Sequence, residues 1–466
     1  MFFRITLMFC VLLTLASHSN AASSNALDNS ATEQNLELRQ LQQALADMQA
    51  NYQQQLAALT QRIQRLETEA QAVQQSQALS TTSLRSGSSG TSQLAANDFN
   101  PAIGVVLSGA LVEFDRPVPA VPGYFLGGES APPDKGFNLG ESEFNAHANI
   151  DDKFYGNFTV ALANAGGETE VELEEAWLQT LQLPAGFTLK GGRFFSGLGH
   201  RNEFHAHADD FADRSLAYRV FLNGQYVDDG VQLRWLAPTD TYLEVGAEWF
   251  KGQGFPGAGD GDRGGKGTWT LFGRVGGDVG SGGSWQAGAS WLNARARDLE
   301  SGDPNNPGVF TGEVNQGLVD FVWKWAPNGN PYRHNLKLEG VVIRQRHEGL
   351  FQAGAPGSAA EGVPIGIQLD QWGYSLEGVY QFMHGWRAGV RVSSLAGDDL
   401  DPRFDGSLLD DQGQHPRVLT TMLDWSNSEF SRLRLQYSRD ESSARGANQW
   451  QLQYLMSVGA HGAHQF

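Results

Sequence analysis

Seven side chains able to bind a metal fall within fourteen residues: His200, Glu203, His205, His207, Asp209, Asp210 and Asp213. Imidazole and carboxylate are the ligands zinc takes where thiolate is absent. The single cysteine, Cys10, sits at the extreme N-terminus, so no thiolate competes. In an extended segment residues two apart point the same way, so His205 and His207 could reach one ion. His200 or Asp209 could complete the set, with Asp210 and Asp213 close by. The spacing matches no fixed signature such as H-E-x-x-H, and a polar loop of solvated histidines has the same composition. A second pair, His461 and His464, has opposite parity and faces opposite sides of a regular strand. No Ser/His/Asp arrangement, phosphate loop or catalytic carboxylate pair stands out, so no enzyme is expected.

Other charges sit singly among apolar residues. Val319, Phe321, Trp323 and Trp325 alternate with Asp320 and Lys324, and Leu243, Val245, Ala247 and Trp249 with Glu244 and Glu248. Leu433, Leu435 and Tyr437 alternate with Arg432, Arg434 and Gln436, and Trp386, Ala388, Val390 and Val392 with Arg387 and Arg391. A period of two with one greasy face is a strand. The polar faces together present Lys190, Arg234, Lys337, Arg387, Arg391, Arg432 and Arg434 against Glu244, Glu248, Asp320, Glu339 and Glu377. Opposed across a lumen, such charges set up a transverse field and select solutes by charge. Charges in a water-filled barrel are also merely tolerated there, and both readings stand.

Sixteen alternating segments follow residue 101, near 103–115, 138–150, 154–164, 169–182, 187–197, 226–237, 240–252, 267–277, 284–296, 312–326, 333–347, 366–382, 385–396, 416–427, 429–440 and 448–466. Tight connections such as Asp151-Asp152-Lys153 and Met383-His384 alternate with long ones at 116–137, 198–225, 253–266, 297–311, 348–365 and 397–415. Short turns on one side and long loops on the other mark an outer-membrane barrel of about sixteen antiparallel strands. The last strand puts Trp450, Leu452, Tyr454, Met456, Val458 and the terminal Phe466 on one parity, as expected of a closing strand presented to lipid and to the barrel-assembly machinery. A soluble sandwich also alternates, but it explains neither the loop lengths nor that ending.

Residues 1–21 read as a secretory signal, with Arg4, an apolar core and Ser19-Asn20-Ala21 as cleavage site. Residues 36–76 read as a periplasmic coiled coil: Leu38, Leu41, Leu45, Met48, Tyr52, Leu56, Leu59, Ile63, Leu66, Ala70 and Val73 step by three and four, with one stutter. A lone amphipathic helix is the other reading of that stripe. Residues 77–100 are a Ser/Gly/Thr linker, and 101–466 the barrel. The net charge of −19 argues against nucleic acid as a partner.

The strands, the long third loop, a C-terminal Phe and the added helix resemble trimeric porins that carry a periplasmic coiled coil. A narrower resemblance rests on Gly191-Gly192-Arg193-Phe194, on Gly197 through His207, on Gln225-Tyr226-Val227-Asp228-Asp229-Gly230 and on the closing Gly459 through Phe466. These are similar to bacterial proteins described as zinc-regulated TonB-dependent outer-membrane receptors, and the resemblance implies a link to zinc scarcity. The chain departs from that name: a helix and linker stand where a TonB-dependent transporter has its plug, and no TonB box is visible. The expectation is a homotrimeric outer-membrane channel for small hydrophilic solutes, its third loop in the pore, requiring no cofactor, with zinc the candidate ion bound or passed. A non-conducting zinc receptor and a tether to a periplasmic partner are the alternatives.

Overall fold

The alternation makes strands, and the pairing of the last with the first makes a barrel. The computed structural model describes residues 101–459 apart from 118–120, 131–132, 166–167, 258–266, 304–305, 355–361 and 399–401. The signal, coiled coil and linker, and His461, His464 and Phe466, lie outside the described residues. The strands are β1 (Ala102–Phe114), β2 (Gly136–Leu139), β3 (Ser142–Asn149), β4 (Phe154–Ala165), β5 (Glu168–Thr180), β6 (Phe187–Phe195), β7 (Val227–Leu236), β8 (Tyr242–Phe250) and β9 (Thr268–Val279). They continue as β10 (Gly283–Asp303), β11 (Asn306–Trp325), β12 (Asn335–Ala353), β13 (Ile365–Met383), β14 (Trp386–Gly397), β15 (Arg417–Ser428), β16 (Ser431–Asp440) and β17 (Ala447–Gly459). Between β6 and β7 lie two one-turn 3₁₀ helices, Arg201–Glu203 and Ala206–Ala208, and one short α-helix, α1 (Leu216–Leu222).

β2 and β3 pair with successive stretches of β1, so they are one stave interrupted at Gly140-Glu141. Seventeen segments therefore make sixteen staves, each antiparallel to its neighbours. β17 returns to β1, from Gly104 opposite Gly459 to Phe114 opposite Gln449. Closure leaves no strand edge, the condition for crossing lipid with strands.

Each expected segment corresponds to a stave, but two loops are shorter than expected. Most of 297–311 is strand, because β10 runs to Asp303 and β11 starts at Asn306; β12 likewise continues to Ala353. Arg295 pairs with Glu313 across the hairpin at 2.9 Å, and inward-facing Leu299, Phe310 and Phe351 are buried behind it. Those contacts hold as strand a stretch whose Gly, Pro and Asp content reads as loop.

The faces are as expected. Val319 is 60% exposed and Phe321 47%, while Asp320 between them is 3% exposed. Val245, Trp249, Leu433, Leu435, Val390 and Val392 also face outward. An exposed apolar belt on a closed barrel is the surface of a membrane-embedded protein. At the tight-turn end Trp386 stacks on Trp425 and Trp285 on Phe321, the place of an interfacial aromatic girdle.

The interior differs from a simple water-filled pore. Inward-facing Leu292, Phe310, Val314, Leu318, Ile343 and Leu369 are buried with α1, Tyr124 and Phe125 in one apolar cluster at the long-loop end. Adjacent apolar residues such as Leu318-Val319 and Val342-Ile343 place one side chain in that cluster and one in the belt.

Candidate functional site

The loop between β6 and β7, residues 196–226 (L3), folds into the lumen. Asn202 ties its ends together: its amide donates to the carbonyls of Ser196 at 2.9 Å and Tyr226 at 3.0 Å, and its carbonyl accepts from the Tyr226 N–H at 2.7 Å. Glu248 on β8 accepts from the Gly197 N–H at 2.8 Å and from the hydroxyls of Ser196 and Thr270. At the far end α1 buries Leu216, Ala217, Tyr218, Val220, Phe221 and Leu222 and lies against β12, β13 and β14. Gly373 on β13 admits it: a Cβ there would stand 2.6 Å from the Phe221 ring and 2.9 Å from the Ala217 Cβ.

Between these anchors L3 divides its charges between two walls. Toward β12–β16, Arg201 pairs with Glu339, with Glu377 at 2.5 Å and with Asp209 at 3.2 Å. Asp210 meets Lys337 at 3.0 Å and Arg387 at 2.7 Å, and Asp213 meets Arg391 at 2.6 Å. Arg432 and Arg434 donate to the carbonyls of His207 at 2.6 Å and Asp209 at 2.7 Å. Arg387 also pairs with Asp424 at 2.5 Å.

Toward β3–β5 the loop presents its imidazoles. His205 Nδ1 lies 3.2 Å from both Glu143 and Glu174, and its Nε2 lies 3.2 Å from Glu175. His207 Nδ1 lies 2.5 Å from Glu143, and the two imidazoles stack with centroids 5.6 Å apart. Burial disfavours a charged imidazole, yet the surrounding carboxylates hold His205 well above the ordinary histidine range. Glu203 goes elsewhere, to Arg234 and Arg274.

The seven-residue constellation therefore does not form one site. His205 and His207 come together; Asp210 and Asp213 are taken by Lys337, Arg387 and Arg391 on the opposite wall, and Asp209 by Arg201 and Arg214 of the loop itself; His200 packs separately, 3.1 Å from Gln286. The one-turn 3₁₀ helix Ala206–Ala208, which carries His207, interrupts the extended backbone between His205 and Asp209, so strand parity does not hold across it. The lumen charges are likewise not free opposed walls. Glu339 and Glu377 stand on the same side as Arg387, joined through Arg201, and Lys337 bonds Glu339 at 2.9 Å. Arg234 and Glu244 lie 3.7 Å apart, and Lys190 sits over Trp177 at 4.5 Å.

Sequence reasoning missed the carboxylates that face the histidines. Glu174 and Glu175 are neighbours, so alternation predicts opposite faces, yet both are buried. The ladder shows why: Thr159 pairs with Glu175 and Val160 with Leu173, leaving Glu174 as a β-bulge. A bulge re-aims a side chain, here into the barrel. The available signal was the acidic run Glu170-Val171-Glu172-Leu173-Glu174-Glu175.

A closed sixteen-stave barrel with an apolar belt and a lumen-crossing third loop is an outer-membrane protein of porin-like build. No protein-family model matches the chain. It is 29% identical over 349 residues to an uncharacterized protein of Aquifex aeolicus, covering 71% of this chain and 70% of that one. Among solved structures it is similar to the outer membrane protein OmpT of Vibrio cholerae (12% identity, 77% of this chain and 97% of that one, TM-score 0.46). It is similar also to OprB of Pseudomonas putida (15%, 77% and 94%, TM-score 0.46) and to the outer-membrane channel DcaP of Acinetobacter baumannii (11%, 77% and 97%, TM-score 0.47).

Proposed function

We propose that the protein is an outer-membrane channel for small hydrophilic solutes, zinc or zinc complexes among them, with L3 as its constriction. The observation that carries this reading is the ionic span of L3, from the Glu143–Glu174–Glu175 wall to the Glu339–Arg387–Arg391 wall. On the tight-turn side, cavities of about 800 and 580 Å³ reach it, one lined by His207, Arg387 and Arg432 and the other by Asp210, Lys324 and Lys337. A solute entering there meets fixed charges before the apolar cluster, so L3 and α1 govern whether it passes. The chain assembles as a homotrimer in this reading, and the seam at 36–73 associates copies of the chain without itself setting their number.

A second reading is a zinc receptor that does not conduct. The apolar cluster around α1 at the long-loop end favours it. Conductance of the purified protein in planar bilayers, with and without Zn²⁺, separates the two. Discrete openings support the channel; their complete absence under all voltages and zinc concentrations sinks it.

A further inference from the structure

We propose that Glu143, Glu174 and His205, through Nδ1, bind one zinc-class divalent cation, with Glu175 as the outer carboxylate on His205 Nε2. One ligand atom from each of the first three lies within 4.8 Å of the others. The tighter distances carry the argument. His205 Nδ1 is 3.2 Å from an oxygen of Glu143 and 3.2 Å from one of Glu174. A ring nitrogen holds at most one proton, so it cannot make a full hydrogen bond to both carboxylates. Ligands at about 2.0–2.1 Å from a tetrahedral ion are separated by roughly 3.3 Å, close to the spacing found.

Charge points the same way. Glu143, Glu174 and Glu175 bring three carboxylates together, each at most 9% exposed, with Glu141 hydrogen-bonded to Glu174 beside them. Facing them are His205 and His207, with Lys190 acting on Glu175 and Arg214 acting on Glu141. Lys190 lies over the Trp177 ring, and Arg214 is already committed to Asp209 at 2.9 Å. His207 Nδ1 also meets Glu143 at 2.5 Å, so three buried carboxylates share two imidazoles, and a cation held by Glu143, Glu174 and His205 offsets the surplus of negative charge. Glu175 is the outer-shell partner: it lies 3.2 Å from His205 Nε2, and Trp177 Nε1 at 2.9 Å and Asn157 at 3.1 Å donate to it, which holds the carboxylate that fixes a ligating imidazole. A central imidazole selects the zinc class over calcium and magnesium, which prefer all-oxygen shells.

The site deepens the zinc reading of L3 and is independent of conduction, because binding is measured whether or not the barrel opens. The test is titration of the detergent-solubilised full chain with Zn²⁺ by calorimetry, and with Co²⁺ by visible absorption. The expected result is one equivalent at this site, intense tetrahedral Co²⁺ bands, and no displacement by excess Ca²⁺ or Mg²⁺. Glu143→Gln, Glu174→Gln and His205→Gln should each weaken zinc by about a hundredfold or more, beyond the 10–100-fold typical of outer-shell changes. His200→Gln, at a residue that packs apart from these ligands, should leave affinity within threefold. Heat-modifiable migration on gels verifies that each variant is folded, and the wild-type Co²⁺ spectrum needs no variant. Absence of those bands, unaltered affinity in the three folded variants, or loss of all binding in His461→Gln/His464→Gln alone overturns the proposal.

Discussion

Arg201 is the pin of L3, and removing its charge is the sharpest probe of how the loop is held. Its side chain and those of Glu339, Glu377 and Asp209 are between 7% and 12% exposed. In Arg201→Met these carboxylates lose their shared guanidinium, and breaking a buried ion pair in this way costs about 3–5 kcal/mol. Lys337 stays 2.9 Å from Glu339 and relieves part of the loss, so the lower figure applies. About 3 kcal/mol corresponds to roughly a hundredfold shift between docked and undocked loop. The barrel is unaffected, because its ladder hydrogen bonds do not run through L3. Trypsin reads the shift by cutting after Arg214 and Arg219, at a rate that follows the undocked population when opening and closing are fast. The expected outcome is cleavage about a hundredfold faster than wild type, with the heat-modifiable barrel band unchanged. Adding Glu377→Gln should slow cleavage again, since Glu377 is the carboxylate whose ion pair was with Arg201 and not with Lys337. Wild-type cleavage in Arg201→Met, or additive losses in the pair, would refute the ionic account of the loop.

Three further outcomes are expected. With metal chelated, His205 carries a folded pKa raised above its ordinary 6.5, so its contribution is fully present below about pH 6.5 and fades as pH climbs toward the folded value; the melting-temperature advantage of wild type over His205→Gln should shrink from pH 6 to pH 9. Gly373→Val places new atoms against Phe221 and Ala217, an overpacking of about 1–3 kcal/mol, and should speed cleavage after Arg219 and enlarge any conductance. Deleting 36–76 should turn trimers into monomers by light scattering in detergent while the barrel stays folded, and a persisting trimer would remove the coiled coil from assembly.

Much of this architecture was legible in one dimension because a barrel strand has two unlike solvents. Lipid demands apolar residues at Val319 and Phe321 and the lumen accepts Asp320, so the period of two appears in the chain itself and fixes strand number, facing and the side of each loop. L3 was legible as the loop rich in ligand chemistry for a similar reason, since residue type survives without coordinates. Its partners were not. Which wall receives Asp210 and which receives His205 depends on the turn at Ala206–Ala208 and on residues more than a hundred positions away, such as Lys337 and Arg387. Glu174 escaped for the opposite reason: a local bulge broke the very alternation that revealed everything else. The ligand types at 200–213 thus belong to the sequence, whereas the meeting of His205 with Glu143, Glu174 and Glu175 belongs to the tertiary structure, because it needs L3 folded back over the neighbouring staves β3–β5 and the bulge that turns Glu174 inward.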